Sequence, residues 1–175
     1  MAWLLDNPVS RIQANRLVRR LPVEPGMRVV DVGCGPGRLT LPAARIVGEG
    51  GEVLAVDLQP EMLAIVQRRA ARAGLGNIRT LQAAAGDGSI PAGPYDLALL
   101  VTVLGEIPAN SRGPAIEEIA GRLRPGGRLV VVEALLDPHR QSREAVLGLA
   151  APAGLELERE ERGWVTSIMQ VRRPV

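Results

Sequence analysis

Val29-Val30-Asp31-Val32-Gly33-Cys34-Gly35-Pro36-Gly37 is the stretch that decides the fold class. Its first four residues read as a buried strand, and three glycines at alternate positions then let the backbone turn sharply. Residues 38–47 follow as a helix with Leu39, Ala43 and Ile46 on one face and glycines after it. Strand, glycine turn and helix in that order open an α/β sheet.

The alternation continues outward from this stretch. Residues 52–56 form a second strand ending at Asp57, and Pro60 opens the next helix, where its missing N–H costs nothing. Met62, Ile65, Val66 and Ala73 mark the inner side of that helix, and Gly74 and Gly76 stop it. Residues 78–81 read as a third strand. Residues 95–101 read as a fourth, almost wholly apolar, as a central strand buried on both faces requires. Ile116, Ile119, Ala120 and Leu123 fall at helical spacing, closed by a Pro125-Gly126-Gly127 turn before a fifth strand at 129–132. A helix over about 141–151 precedes two strands, 155–159 and 165–171, close enough to pair as a hairpin. The expectation is a mostly parallel, doubly wound sheet with helices on both faces and an antiparallel strand from the final hairpin. Ligands on such sheets bind beyond the C-terminal strand ends, here the loops after Val32, Val56, Leu81, Val101 and Val132.

Composition narrows the chemistry. With 175 residues and 46% hydrophobic content, a single domain is expected. A chain of this size buries roughly 70% of its unfolded surface. There are 21 basic residues, all arginine, against 19 acidic ones. That balance does not support a dominant electrostatic grip on nucleic acid, and 2% aromatics without phenylalanine do not make a base-stacking surface. One cysteine excludes an internal disulfide and a multi-cysteine zinc site, and one histidine excludes a histidine-rich metal centre, so no metal is expected. No apolar run is long enough for a spanning helix, and residues 1–8 lack a basic region followed by an apolar core. The cytoplasm is the expected compartment.

The glycine turn is not the dinucleotide fingerprint. Its third glycine follows the second by two residues rather than three, and Asp31 precedes the first by two. A carboxylate there suits a cofactor with a positive end. Asp57, at the end of the second strand, suits the two hydroxyls of a ribose.

On these motifs the chain resembles the class I S-adenosylmethionine-dependent methyltransferases. Residues 30–37 resemble their first motif and residues 53–58 their second. Tyr95-Asp96-Leu97-Ala98-Leu99-Leu100 resembles the fourth-motif strand, and residues 123–129 resemble the turn before the fifth strand. The resemblance covers about 22–171. It implies a Rossmann-like, seven-stranded, mostly parallel sheet with the last strand antiparallel, and S-adenosylhomocysteine as product. It also implies that Asp31 lies near the methionine amino group, with Gly33, Cys34, Gly35 and Gly37 under the methionine part. Asp57 would take the ribose hydroxyls and Leu58 would pack on adenine, while Val101 would face the methionine moiety. The family often carries Gly-Asp after the third strand. Here the aligned position is Ala84, preceded by Ala83, so backbone contacts are expected at Ala84, with Asp87 a weaker alternative.

The acceptor is less constrained. Methyl transfer from a sulfonium needs alignment and, for some nucleophiles, removal of a proton. Cys34 lies in the cofactor turn, so carbon-5 pyrimidine and arsenite chemistries, which use nucleophilic cysteines, are excluded. Glu106, after the fourth strand, and His139, in Asp137-Pro138-His139 after the fifth, are the candidate catalytic groups; Glu133 lies on the same edge. Glu106 could instead serve as a helix N-terminal carboxylate, and His139 as a cap on the following helix. Residues 1–21 read as a helical lid segment before a core at 22–175. Trp3, Leu4 and Leu5 precede Arg11, Arg16, Arg19 and Arg20, a pattern that also suits peripheral contact with a membrane or an ordinary docking helix. The expected activity is methylation of a small-molecule or lipid- and quinone-like acceptor. RNA or protein methylation, and a catalytically silent cofactor-binding partner subunit, are the alternatives. Sequence gives no oligomeric state.

Overall fold

A computed structural model describes the backbone from residue 8 to residue 175 and side chains from residue 12. Its elements are α1 (Pro8–Val18), β1 (Arg28–Val32), α2 (Thr40–Val47), β2 (Glu52–Asp57), α3 (Pro60–Arg72), β3 (Ile78–Gln82), β4 (Tyr95–Val101), α4 (Ala109–Arg122), β5 (Leu123–Ala134), α5 (Arg143–Ala150), β6 (Glu156–Arg162) and β7 (Thr166–Arg172). All seven strands belong to one mostly parallel sheet. The chain divides into two compact units, one ending at Gln82 and one running over Ala83–Val175.

In the first unit the strands run β3-β2-β1, all parallel, with Val32 opposite Val56 and Asp57 opposite Gln82. Val29, Val30, Val53 and Ala55 are buried, as strands covered on both faces must be. The last residues of β1 and β2 therefore emerge side by side. The α3 helix buries Leu63, Val66 and Ala70. That stripe is rotated from the sequence expectation: Met62 and Ile65 are half-buried, and Ala73 is exposed beyond the helix end. The α2 helix begins at Thr40 rather than 38, because residues 38 and 39 still belong to the glycine turn. The α1 helix packs against α2 with Ala14 and Val18 buried. Trp3, Leu4 and Leu5, the apolar part of the expected lid segment, lie outside the described residues.

In the second unit the order is β4-β5-β7-β6, with β4 and β5 parallel and β7 antiparallel to both its neighbours. The expected hairpin and antiparallel last strand are present. The β4 strand spans the expected residues because its apolar run is buried on both faces. The β5 strand is much longer than 129–132, and Pro125-Gly126-Gly127 does not separate helix from strand as expected. Those residues form an irregularity inside the ladder, where the register shifts between Tyr95 and Leu97. Gly127 O accepts from Arg173 N at 2.9 Å, and Gly126 N donates to Arg173 O at 2.9 Å, so Arg173, just past β7, ties the segment into the sheet. The α5 helix starts at Arg143 because Ser142 caps it, accepting from Ala145 N at 3.1 Å. His139 therefore does not cap that helix. Among the described residues no helix is long and apolar enough to cross a membrane.

Candidate active site

In the first unit, the ends of β1 and β2 and the glycine turn form one hydrogen-bonded arrangement. Gly33, Gly35 and Gly37 adopt φ of 70°, 51° and 79°, a backbone that side chains disfavour. Gly33 N and Cys34 N both donate to Val56 O, at 2.8 and 3.0 Å, which ties the turn to the end of β2. A Cβ on Gly37 would lie 2.7 Å from Leu41 Cδ1, so glycine also lets the turn settle onto the helices beneath it.

Asp57 locks the turn from the other side. Its Oδ2 accepts from Gly35 N at 2.8 Å and its Oδ1 accepts from Gln59 N at 2.9 Å. A carboxylate has about four lone-pair sites, so each oxygen keeps capacity for a further donor. Leu58, the next residue, is 66% exposed, an apolar side chain open at the strand end. Gln82 Nε2 donates to its carbonyl at 3.3 Å.

Asp31 is buried, with Oδ2 accepting from Thr40 Oγ1 at 2.6 Å. Burial pushes its carboxyl up to about 6, Thr40 pulls it back, and repulsion from Asp57 adds to the rise. Two carboxylates thus lie close together at one strand edge, and no basic partner of Asp31 stands among the described residues. Cys34 packs with Leu41, Ala55, Leu63 and Val66 beneath the turn. Burial and then Asp31 and Asp57 push its thiol far up, so it stays protonated and is no nucleophile.

The second unit carries the other candidates. Ala84 N donates to Asp87 Oδ2 at 3.0 Å, and Asp87 Oδ1 accepts from Ser89 N at 2.8 Å. Those backbone donors hold the Asp87 carboxyl below its ordinary range, and the carboxylate in turn occupies the Ala84 amide. Glu118, on α4, fixes the same loop by accepting from Gly86 N at 2.8 Å and Ile90 N at 2.9 Å. Val101 ends β4 half-buried, and Thr102 after it has φ 56°, an outlier for a β-branched residue. Its amide donates to Val132 O at 2.8 Å, which fixes this strained residue at the edge where β4 and β5 end.

Glu106 and His139 are exposed, on the loops after β4 and β5 respectively. The two loops touch: a Cβ on Gly105 would collide with the His139 carbonyl. Arg112, on α4, clamps them, donating to Ile107 O at 2.9 Å, Gly105 O at 3.0 Å and Gln141 Oε1 at 2.9 Å. Below them Glu133 is buried, with Oε1 unpaired among the described residues. Burial pushes its carboxyl up to about 7; the Gln141 backbone opposes this and Asp137 reinforces it. Thr40, Glu118 and Arg112 carry no sequence signal because each acts on residues outside its own helix.

Comparisons with known proteins fit this arrangement. A family model described as a methyltransferase domain matches residues 29–127. Nocamycin O-methyltransferase of Saccharothrix syringae is 32% identical over 138 residues, covering 77% of this chain and 47% of that protein. The ubiquinone/menaquinone biosynthesis C-methyltransferase UbiE of Azotobacter vinelandii is 35% identical over 135 residues, 74% of this chain and 53% of its own. The chain thus spans about half the length of these curated relatives. Among solved structures, a SAM-dependent methyltransferase from Aquifex aeolicus matches with TM-score 0.84 at 23% identity, covering 97% of this chain and 95% of that one. The [4+2]-cyclase SpnF matches with TM-score 0.79 at 21% identity, covering 94% and 81%. At these identities the likeness is one of fold, and the fold alone does not choose between the two reactions.

Proposed function

Because the chain belongs to the methyltransferase-domain family, we propose that it transfers a methyl group from S-adenosylmethionine to a small-molecule acceptor of lipid or quinone-like character. When bound, S-adenosylmethionine supplies a methyl group on a sulfonium, activated for in-line displacement. The observation that carries the reading is the hydrogen bond from Gly35 N to Asp57 Oδ2 at 2.8 Å, which joins the glycine turn and the ribose-type carboxylate into one preorganised cradle.

In this reading Asp31 faces the methionine ammonium, an opposite charge that its buried carboxylate lacks among the described residues. Asp57 accepts both ribose hydroxyls with the lone pairs its backbone bonds leave over. Gly33, Cys34, Gly35 and Gly37 offer backbone rather than side chains, and Leu58 covers adenine. Ala84 and Val101, which the resemblance implies for the same cofactor, belong to the second unit, where the Ala84 amide donates to Asp87. The residues fit the cofactor in charge, in hydrogen-bonding capacity and in the room that glycine leaves.

Titration calorimetry with S-adenosylmethionine and S-adenosylhomocysteine tests the cradle. Asp57→Ala removes the ribose acceptor and the anchor of Gly35 together, so affinity is expected to fall by at least about 100-fold, two charge-assisted hydrogen bonds being lost. Unchanged affinity would refute the role of Asp57.

For the acceptor, the relatives support a small organic molecule, one named for O-methylation and one for quinone C-methylation. Leu136 is 90% exposed and Trp164 99% exposed, apolar surface near the end of β5 that suits such a molecule. Glu106 and His139 are the proposed proton acceptors. A labelled-methyl screen over lipid extracts, metabolite pools and RNA decides the class, and label confined to RNA would reverse it. Full turnover by both Glu106→Gln and His139→Ala would leave alignment as the whole of the catalysis.

A further inference from the structure

The arginines of this chain fall into two populations. On β3, β5 and α5 they are matched: Arg79 with Glu52 at 3.0 Å, Arg124 with Asp96 at 2.6 Å, Arg128 with Glu158 at 2.6 Å and Arg143 with Glu160 at 2.8 Å. On the helical side of the first unit several are not matched by any described residue. A cavity of about 710 Å³ there is lined by Arg19, Arg38, Arg45, Arg69 and Arg72, together with Gly37 and neighbouring residues of α1, α2 and α3. No acidic residue lines it among the described residues. Arg19, Arg38, Arg45 and Arg72 have no hydrogen bond or ion pair to any described residue, whereas Arg69 Nη1 donates to Pro36 O at 2.7 Å.

Guanidinium groups do not lose their charge, so this concavity carries five like charges with no acidic residue among its described lining residues. Arg45, Arg69 and Arg72 occupy the last turns of their helices, where a cation is favoured by the dipole. That preference is satisfied by each arginine separately and gives no reason for Arg19 and Arg38 to join them around one cavity. The volume lies in the range that takes a whole small ligand. A single phosphate neutralises fewer than half of the charges.

We propose that this arginine-lined cavity is a binding site for clustered phosphates, a ligand bearing two or more phosphate groups close together. The guanidinium fork matches phosphate oxygens in pairs, and five of them around one concavity favour a polyanion over a monoanion. The site is distinct from the Asp31 and Asp57 cradle, whose charge is of opposite sign. It borders that cradle from behind, since Gly37 lines the cavity and Arg69 holds the Pro36 carbonyl of the same turn.

Calorimetry with inorganic tripolyphosphate, and with orthophosphate for comparison, tests the proposal without reference to methyl transfer. The expected result is one tripolyphosphate per chain, bound at least about tenfold more tightly than orthophosphate and weakened by added salt. Arg45→Gln and Arg72→Gln, both at exposed positions outside the cofactor cradle, are each expected to weaken binding by about tenfold, as loss of one charge-assisted contact does. Unchanged melting temperatures without ligand would show that both variants fold. Sedimentation with vesicles of phosphatidylcholine containing cardiolipin, against phosphatidylcholine alone, separates the sources. Vesicle binding displaced by tripolyphosphate assigns a lipid headgroup, and tripolyphosphate binding without vesicle binding assigns a soluble phosphate ester. No tripolyphosphate binding, or binding that the double variant retains in full, would overturn the proposal. So would an RNA oligomer that binds through Arg45 and Arg72 while tripolyphosphate does not.

Discussion

Asp31 shows how one side chain can be costly to the empty protein and useful to the loaded one. Its carboxyl is buried, accepts one hydrogen bond from Thr40 and faces a second carboxylate, so it holds a proton up to about pH 6. A ligand ammonium beside it favours the ionised form, and binding therefore expels the proton at acid pH. The expected outcome is that affinity for S-adenosylhomocysteine falls as pH drops below about 6, approaching tenfold per pH unit. Asp31→Asn is expected to bind weakly with little pH dependence over the same range. Calorimetry across that range checks both, and a flat wild-type profile would refute the charge pairing. Asp31 and Asp57 were legible in the sequence because each sits at a fixed offset from the glycine turn. Thr40, which restrains Asp31, carried no signal, because a threonine opening a helix reads equally well as a solvent-facing residue.

At the scale of elements, the strand-end loops of the second unit are held by side chains rather than by regular structure. Arg112 reaches two carbonyls of the loop after β4 and the Gln141 side chain of the loop after β5. Removing it leaves those groups without their donor while the fold around them remains. Arg112→Ala is expected to destabilise the protein by about 1–3 kcal/mol and to speed amide exchange in residues 102–108 and 134–142. In the proposed reaction it raises KM for the acceptor more than it changes cofactor affinity. Exchange confined to α4 would show that the clamp does not hold the loops. Hydrophobic pattern revealed β1, β2 and β4 because strands buried on both faces write their limits as apolar runs. It could not reveal the length of β5, where Pro125, Gly126 and Gly127 carry every mark of a turn. Their place in the strand depends on pairing with Arg173, which lies 46 positions beyond Gly127 in the sequence. β6 was found but misjudged by a few residues, since an edge strand of exposed glutamates and arginines has almost no apolar alternation to read.

For the whole molecule, the two buried carboxyls set the dependence of stability on pH. Asp31 rises from 3.8 to about 6 and Glu133 from 4.5 to about 7, so the folded chain binds more protons than the unfolded chain between those values. Stability from this source is fully present below the unfolded values and is lost as pH rises through the folded ones. A tenfold difference in proton affinity between folded and unfolded chains is worth about 1.4 kcal/mol, so each group takes on the order of 2–3 kcal/mol from the protein by neutral pH. Glu158 works in the opposite direction: Arg128 lowers its pKa, so its contribution is present above its unfolded value and lost as pH falls through the folded one. The two trends meet near the unfolded carboxyl values, and the melting temperature is expected to peak near pH 4 and to decline toward pH 7. Glu133→Gln is expected to remove its share of the decline, leaving a variant that matches the wild type near pH 4 and exceeds it at pH 8. Saturating S-adenosylhomocysteine is expected to flatten the share that belongs to Asp31, because the ionised carboxylate then has a partner, while leaving the share of Glu133 in place. Melting curves over this range, with and without ligand, separate the two. A wild-type profile that rises steadily from pH 5 to pH 8 would show that neither carboxyl is held in its protonated form by the fold.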